Sequence, residues 1–321
     1  MSDILLVAKN LSKHFHSSGF PARKRNVVHA VDDVSFSIKK GETFGLVGES
    51  GCGKSTVGRL LLRLIEPTAG QVFFNGRNIY ELGKKDMRLL RREMQIIFQD
   101  PFSSLNPRMN VNDIIGEPLD IHGLATKGNK KAKIFEILEM VGLSPEHAKR
   151  YPHEFSGGQR QRIGIARALA LRPQFIVADE PVSSLDVSIR AQILNLMKDL
   201  QKSLGLTYLF IAHDLSIVKY LSDKVGVMYL GRIMEMGTAN SIFQRPCHPY
   251  TKSLLDAVAI PDPDVQRKRL IVDEDEPNLA NPSLGCPFQP RCPQAMERCR
   301  LSEPALVELD NEHQVACHLT E

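Results

Sequence analysis

Apolar residues recur along the chain with two periods, and the switches between them divide it. Over residues 4–9 and 31–38 apolar and polar positions alternate, which predicts half-buried strands. Residues 43–47 and 94–98 are short, mostly apolar runs, the pattern of strands buried on both faces. Residues 71–74 followed by Asn75-Gly76 predict a hairpin. From 110 to 150 the period lengthens to that of a helix, with Ile114, Ile115 and Leu119, then Ile134, Ile137, Leu138 and Val141; Gly142 and Pro145 close the run. Strand-like runs return at 175–178, 208–212 and 225–229. Ile189, Ile193, Leu196 and Leu200 predict a helix between the first two. Strands alternating with helices predict an α/β fold with a mostly parallel sheet. An antiparallel β subdomain and an inserted helical subdomain, at about 100–160, complete the expected core.

The bulk numbers change this picture only at the ends. With 321 residues there is room for two domains and a small appendage. An apolar fraction of 42% and a charged fraction of 24% are ordinary for a soluble globular chain. No apolar run approaches the roughly 20 residues that span a bilayer, and the N-terminus lacks the basic start of a signal peptide. A cytosolic protein is expected, with any membrane role supplied by a partner. The net charge of +4 is too mild to imply nucleic acid, and Arg23-Lys24-Arg25 reads as a solvated loop. Past residue 259 the composition shifts to proline, aspartate and charge. The expected organisation is therefore a domain at 1–259, a linker at 260–282 and a Cys-rich extension at 283–321. There is no internal repeat, so a single nucleotide-binding unit is expected.

Two segments carry phosphate chemistry. Gly48-Glu49-Ser50-Gly51-Cys52-Gly53-Lys54-Ser55-Thr56 fits G-x-x-x-x-G-K-[ST], with a strand pattern before it and a helix pattern after it. Its glycines allow backbone N–H groups to approach β- and γ-phosphates. Lys54 adds a point charge, Ser55 a hydroxyl for Mg²⁺, and Thr56 a contact to the α-phosphate. Ser156-Gly157-Gly158-Gln159 opens a second helix and aims another set of N–H groups at an anion. One nucleotide does not need both devices from one chain, so the chain is expected to work as half of a pair.

Phe175-Ile-Val-Ala-Asp179-Glu180 delivers two carboxylates at the carboxyl edge of a buried strand. Asp179 is expected in the Mg²⁺ shell, and Glu180 as the residue that orients or deprotonates the attacking water. Gln99, after the 94–98 strand, is placed to contact Mg²⁺ and that water. His213, after the 208–212 strand, is placed to bond the γ-phosphate and hold Glu180.

In this order and spacing the motifs resemble those of the ATP-binding subunits of ABC transporters, over roughly residues 4–245. The resemblance implies a P-loop ABC ATPase core and ATP sandwiched between paired subunits, with Asp186 of Ser184-Leu185-Asp186 touching the partner's site. It also implies an aromatic that stacks on the base, for which Phe15 is the choice and His14 and Phe20 the alternatives. A narrower resemblance rests on Gln99-Asp-Pro-Phe-Ser-Ser-Leu-Asn-Pro-Arg108, His248-Pro-Tyr-Thr-Lys-Ser-Leu-Leu255 and Cys286-Pro-Phe-Gln-Pro-Arg-Cys292-Pro. These are similar to the ATPases of oligopeptide/dipeptide importers, a family that includes nickel and other small-solute importers. Implied partners are a second ATPase subunit, often non-identical, two membrane permease subunits and an extracytoplasmic binding protein. The implied place is the cytoplasmic face of the membrane, without nucleic acid or direct contact with the solute. A soluble ABC protein acting on nucleic acid and an exporter ATPase are the rival readings.

The four terminal cysteines raise a separate question. Five residues lie between Cys286 and Cys292, six between Cys292 and Cys299, and seventeen between Cys299 and Cys317. Structural zinc favours tighter knuckles, whereas a [4Fe–4S] cluster accepts wider spacing. The resemblance favours the iron–sulfur cluster, with zinc and free thiols or disulfides as alternatives. Arg291 is expected to offset thiolate charge, and the tail to be dispensable for ATP binding. Cys52 and Cys247 are read as non-ligating thiols.

Overall fold

The computed structural model describes residues 4–16, 27–126, 128–257, 285–310 and 312–320. Arg23-Lys24-Arg25, Phe20 and the 260–282 linker lie outside them. In chain order the first elements are β1 (Ile4–His16), β2 (Val27–Lys39), β3 (Thr43–Val47), α1 (Lys54–Leu61), β4 (Ala69–Phe74), β5 (Arg77–Asn78), α2 (Lys84–Leu90) and β6 (Met94–Ile97). There follow α3 (Val111–Ile121), α4 (Lys130–Met140), α5 (Gly157–Leu169), β7 (Phe175–Asp179), α6 (Val187–Leu204), β8 (Thr207–Ala212) and α7 (Leu215–Leu221). The last are β9 (Lys224–Tyr229), β10 (Arg232–Thr238), α8 (Ala239–Gln244), α9 (Pro249–Asp256), α10 (Glu297–Leu301), β11 (Val307–Asp310) and β12 (His313–Val315).

The chain divides into two compact units. One comprises Lys39–Glu42 and Glu81–Ile211. Its β6, β7 and β8 pair in parallel, with Ile97 opposite Ala178 and Asp179 opposite Ile211. Both β7 and β8 are buried along their length, as their unbroken apolar runs require. Helix α6 buries Ile193, Leu194, Met197 and Leu200. Of the expected face Ile193 and Leu200 are buried, while Leu196 and Ile189 are half-buried, Ile189 lying against Gly158. The long helical block is two helices, α3 and α4, with α5 packed on both. Two arginines of α5 close it by donating to loop carbonyls, Arg162 to Val141 and Arg167 to Ser104, each at 2.6 Å.

The other unit holds β1–β5 and everything after β8. Here β3 and β9 are parallel, with Phe44 opposite Lys224 and Val47 opposite Val227. β10 runs antiparallel to β9 with a shift between Ile233 and Glu235. A separate four-stranded sheet, β2-β1-β4-β5, is the expected antiparallel subdomain, and Asn75-Gly76 turns its hairpin. β1 extends well past residue 9, because a register shift between Lys9 and Ser12 lets pairing with β4 resume. The Cys-rich extension is not detached: β12 pairs with β10, Glu235 facing Val315, and β11 pairs with β12.

Candidate active site

The phosphate loop joins β3 to α1. Gly48 and Gly53 have φ of 153° and 106°, and each lies against a backbone carbonyl. A Cβ at Gly48 would stand 2.1 Å from the Met228 oxygen, and one at Gly53 2.0 Å from that of Ala30. Only glycine fits at either position. Helix α1 has no side-chain cap, which leaves its first N–H groups for an anion. Lys54 is only 4% exposed. Its Nζ donates to the Gly48 and Glu49 carbonyls, both at 2.8 Å, and lies 3.7 Å from Cys52 Sγ. Burial pushes the Cys52 thiol up, so it stays neutral despite Lys54. A loop that curls around its own ammonium, with uncapped N–H groups at its end, fits a phosphate chain. Ser55 and Thr56 are half-buried at the start of α1.

In the unit built on β6–β8, Gln99 Nε2 donates to Glu180 Oε2 at 2.9 Å. Asp179, at the end of β7, is buried. Glu180 turns away from the strand at φ 45°, with its N–H donated to the Ile211 carbonyl at 3.0 Å. A non-glycine in the left-handed region is a local cost held in place by the surrounding fold. The turn thus sets two adjacent carboxylates in different surroundings, Asp179 buried and Glu180 gripped by Gln99.

Ser156 caps α5. Its Oγ accepts the Gln159 N–H at 3.3 Å, while Gln159 Oε1 accepts the Ser156 N–H at 3.0 Å. Ser156 and Gly157 are exposed, whereas Gly158 is buried with Ile189 Cγ2 2.3 Å from where its Cβ would be. Asp186 caps α6 by accepting the Ile189 N–H at 3.0 Å and the Ser188 hydroxyl at 2.8 Å. Those bonds, the Ile189 N–H first, hold its carboxyl below the usual range. Val187 beside it is 79% exposed.

Phe15 ends β1 with 42% of its surface exposed and Lys13 Nζ 5.1 Å above its ring. The His14 ring lies tilted against that of His29, centres 4.0 Å apart, with its Nε2 3.8 Å from Asp32, so of the two described candidates Phe15 is the more exposed. His213 is exposed just after β8 and belongs to the other compact unit, as does the phosphate loop.

The cysteine tail gathers its thiols. Burial pushes Cys286 up to about 11, and the fields of Cys299, Cys317 and Cys292 add to that. Backbone N–H groups of Phe288, Gln294 and Leu319 donate to the sulfurs of Cys286, Cys292 and Cys317. The Cys286 N–H donates to the Cys299 carbonyl at 2.8 Å. Arg291 does not face the thiols, contrary to expectation. Its guanidinium grips Glu49 of the phosphate loop, Nη1 to Oε2 at 2.8 Å and Nη2 to Oε1 at 2.9 Å. A carboxylate in reach is a better partner than neutral thiols. Cys247 is bound into a structural knot: buried Glu235 accepts its N–H, that of His248 and the ring of His313 at 2.7, 3.0 and 2.7 Å.

Sequence reasoning missed Tyr250, whose hydroxyl accepts the Glu49 N–H at 3.0 Å. It belongs to the His248-Pro-Tyr motif, so the signal was present but carried no stated role.

Comparison with known proteins bears on all of these parts. The family described as "ABC transporter" matches residues 31–183, and that described as "Oligopeptide/dipeptide transporter, C-terminal region" matches residues 234–299. A putative oligopeptide transport ATP-binding protein of Bacillus subtilis, YkfD, is 54% identical over 98% of this chain and 95% of its own. The oligopeptide transport ATP-binding protein OppF of the same organism is 61% identical over 84% of this chain and 87% of its own. The dimeric ATP-binding cassette MJ0796, solved in a post-hydrolysis state with ADP and Pi, superposes with a TM-score of 0.65 at 28% identity. That match covers 73% of this chain and 99% of the cassette.

Proposed function

The chain belongs to the oligopeptide transport ATP-binding proteins of the ABC transporter family, and from that premise we propose that it hydrolyses ATP to power import of di- or oligopeptides through membrane subunits. The observation that carries the reading is the Gln99–Glu180 hydrogen bond at 2.9 Å, which poises a carboxylate beside the buried Asp179. Glu180 orients and deprotonates the attacking water, and Gln99 registers whether water and phosphate are present. Lys54, the N–H groups of 48–56 and His213 stabilise charge as it spreads over the transferred phosphoryl oxygens. Ser55, Gln99 and Asp179 would hold Mg²⁺, which would neutralise charge on the phosphates. Phe15 stacks on the base.

The second half of each site comes from another ATPase subunit. Ser156 and Gly157 are exposed, and the turn is preformed by its own cap. Asp186 and Val187, both exposed, begin the helix against which Gly158 packs. Two ATPs sandwiched this way close the pair, and hydrolysis with phosphate loss reopens it. Phe102, 64% exposed with Arg160 4.8 Å from its ring centre, follows Gln99 and is the contact to a permease subunit. Among the described residues no helix is long and apolar enough to cross a membrane. We place the chain at the cytoplasmic face, held there by two permease subunits that an extracytoplasmic binding protein supplies with solute.

The tail reads as a metal site. Four thiols within electrostatic reach, three of them receiving backbone N–H bonds, are a donor set for metal. Among the described residues no three of the tail sulfurs lie within 4.8 Å of one another. One zinc at about 2.3 Å from each sulfur would draw them that close, whereas a [4Fe–4S] cluster sits in a wider cage. Cys286, Cys292, Cys299 and Cys317 are the ligands in this reading, and the cluster's role is to staple the tail.

Reconstitution with membrane subunits and binding protein tests the whole assignment. ATPase activity stimulated by peptide-loaded binding protein is expected. Stimulation by nickel-loaded protein alone would move the chain to the metal importers of the same family.

A further inference from the structure

We propose that Arg291 is a positioning residue that ties the metal state of the cysteine tail to the phosphate loop, so that a chain stripped of its tail metal binds nucleotide less tightly. This rests on the metal reading of the tail. Three contacts fix Glu49, the second residue of the loop. Its carboxylate takes both arms of Arg291, its N–H goes to Tyr250 Oη at 3.0 Å, and its carbonyl takes Lys54 Nζ at 2.8 Å. The tail, α9 and the phosphate-binding lysine thus meet on one residue. A planar two-armed bond fixes direction as well as distance, which a point charge does not.

The pair sits in a sheltered place. Arg291 and Glu49 side chains are 18% and 34% exposed. Tyr229, Tyr250 and Phe288 stand around them, with ring centres 4.7 Å apart for Tyr229–Tyr250 and 5.3 Å for Tyr250–Phe288. The Arg291 guanidinium lies 5.7 Å from the Tyr229 ring and 5.9 Å from that of Phe288. Phe288 does two things: its ring fills this cluster and its N–H donates to the Cys286 sulfur. The stretch 286–292 is therefore fastened to the thiol group at both ends and to the phosphate loop between them. Its only regular structure is the short turn Gln289–Arg291. Metal joining Cys286 and Cys292 to Cys299 and Cys317 would add to the Phe288 packing and the Tyr229 contact at 3.4 Å that already hold Arg291, since metal binding and local order go together.

Full-length protein, purified anaerobically, decides this by titration with a fluorescent ATP analogue alongside iron and sulfide assay. Arg291→Ala should keep its metal and lose roughly tenfold in affinity, the range for a bond to a charged group. Arg291→Lys should fall between, since it restores charge without the fork. Cys292→Ser should lose metal and weaken by a similar factor, and the double variant should be no weaker than Cys292→Ser alone. Glu49→Gln repeats the test from the other side should Arg291→Ala fold poorly. Wild-type affinity in metal-loaded Arg291→Ala overturns the positioning role. Wild-type affinity in metal-free Cys292→Ser overturns the coupling. A wild-type chain that holds no metal overturns the coupling together with the metal reading, and the Arg291→Ala titration tells that failure from failure of the ion pair.

Discussion

The loop at 48–56 and the turn at 156–159 are both glycine-bearing entries to a helix, yet they are built to opposite ends. The loop is locked from within the chain: Lys54 lies in its own carbonyls, Tyr250 and Arg291 hold Glu49, and Met228 and Ala30 leave no room for side chains at Gly48 and Gly53. The signature turn is exposed at Ser156 and Gly157, caps itself and rests on Leu185 and Ile189. A cradle built to grip a phosphate chain from within one subunit needs many braces to hold its geometry before ligand arrives. A half-site meant for a partner needs a preformed shape and an open face. The difference between them is the physical argument for pairing, and it can be attacked from either side.

The largest effect expected is on chemistry. Glu180→Gln keeps the Gln99 contact and the turn at φ 45° but removes the base, so hydrolysis should fall about a hundredfold or more. ATP binding should persist, and ATP-driven pairing should become stable enough to see by light scattering. Unchanged steady-state hydrolysis would sink the assignment of Glu180.

Next comes a pH effect on the braced side. His248 caps α9, its Nδ1 accepting the Tyr250 N–H at 3.0 Å, and burial holds it down to about 4 against an ordinary 6.5. Between those values the unfolded chain takes up a proton that the folded chain refuses. Stability should therefore drop as pH falls from about 6.5 toward 4, by at most about 3 kcal/mol. Urea unfolding at several pH values should show the drop in wild type and much less of it in His248→Asn, which keeps a cap acceptor. Equal pH profiles would show that His248 is not the sensitive group.

How much of this was legible beforehand depended on range. Residues 43–56 and 175–180 were readable because an apolar strand, a turn and a helix are encoded within a few neighbours. Gln99 and Glu180 were named for separate reasons, but their bond joins residues far apart in sequence and appears only once β6 and β7 pair. Arg291 was misread for the same reason. The cysteines are its neighbours in sequence, while its partner Glu49 lies in the first quarter of the chain. β10 and the strands of the tail were missed because Glu235 and His313 interrupt the apolar pattern, and they are buried only as a bonded pair. On α6 Ile193 and Leu200 were read correctly, whereas Ile189 packs against Gly158 of the signature turn.

A smaller effect probes what supports the turn. Gly158→Ala places a methyl 2.3 Å from Ile189 Cγ2, so one of them must move. Overpacking of this kind costs about 1–3 kcal/mol, read as a lowered thermal midpoint. Adding Ile189→Ala makes room and should recover part of the loss, a coupling expected of neighbours. Additive losses would mean that the turn does not lean on α6.

The smallest effect is the most informative about the open face. Ser156→Ala removes a cap whose bond is already long at 3.3 Å, while Gln159 Oε1 still accepts the residue 156 N–H. The isolated chain should lose only about 1 kcal/mol or less. Asp186→Ala removes a comparable cap, with bonds at 3.0 and 2.8 Å, and should cost at least as much. If the Ser156 hydroxyl exists to meet a phosphate on the partner's nucleotide, ATP-driven pairing in the Glu180→Gln background should weaken far more for Ser156→Ala than its cost in stability accounts for. Should pairing track stability in both variants, Ser156 is a helix cap and nothing more, and the contrast between the braced loop and the open turn loses its functional meaning.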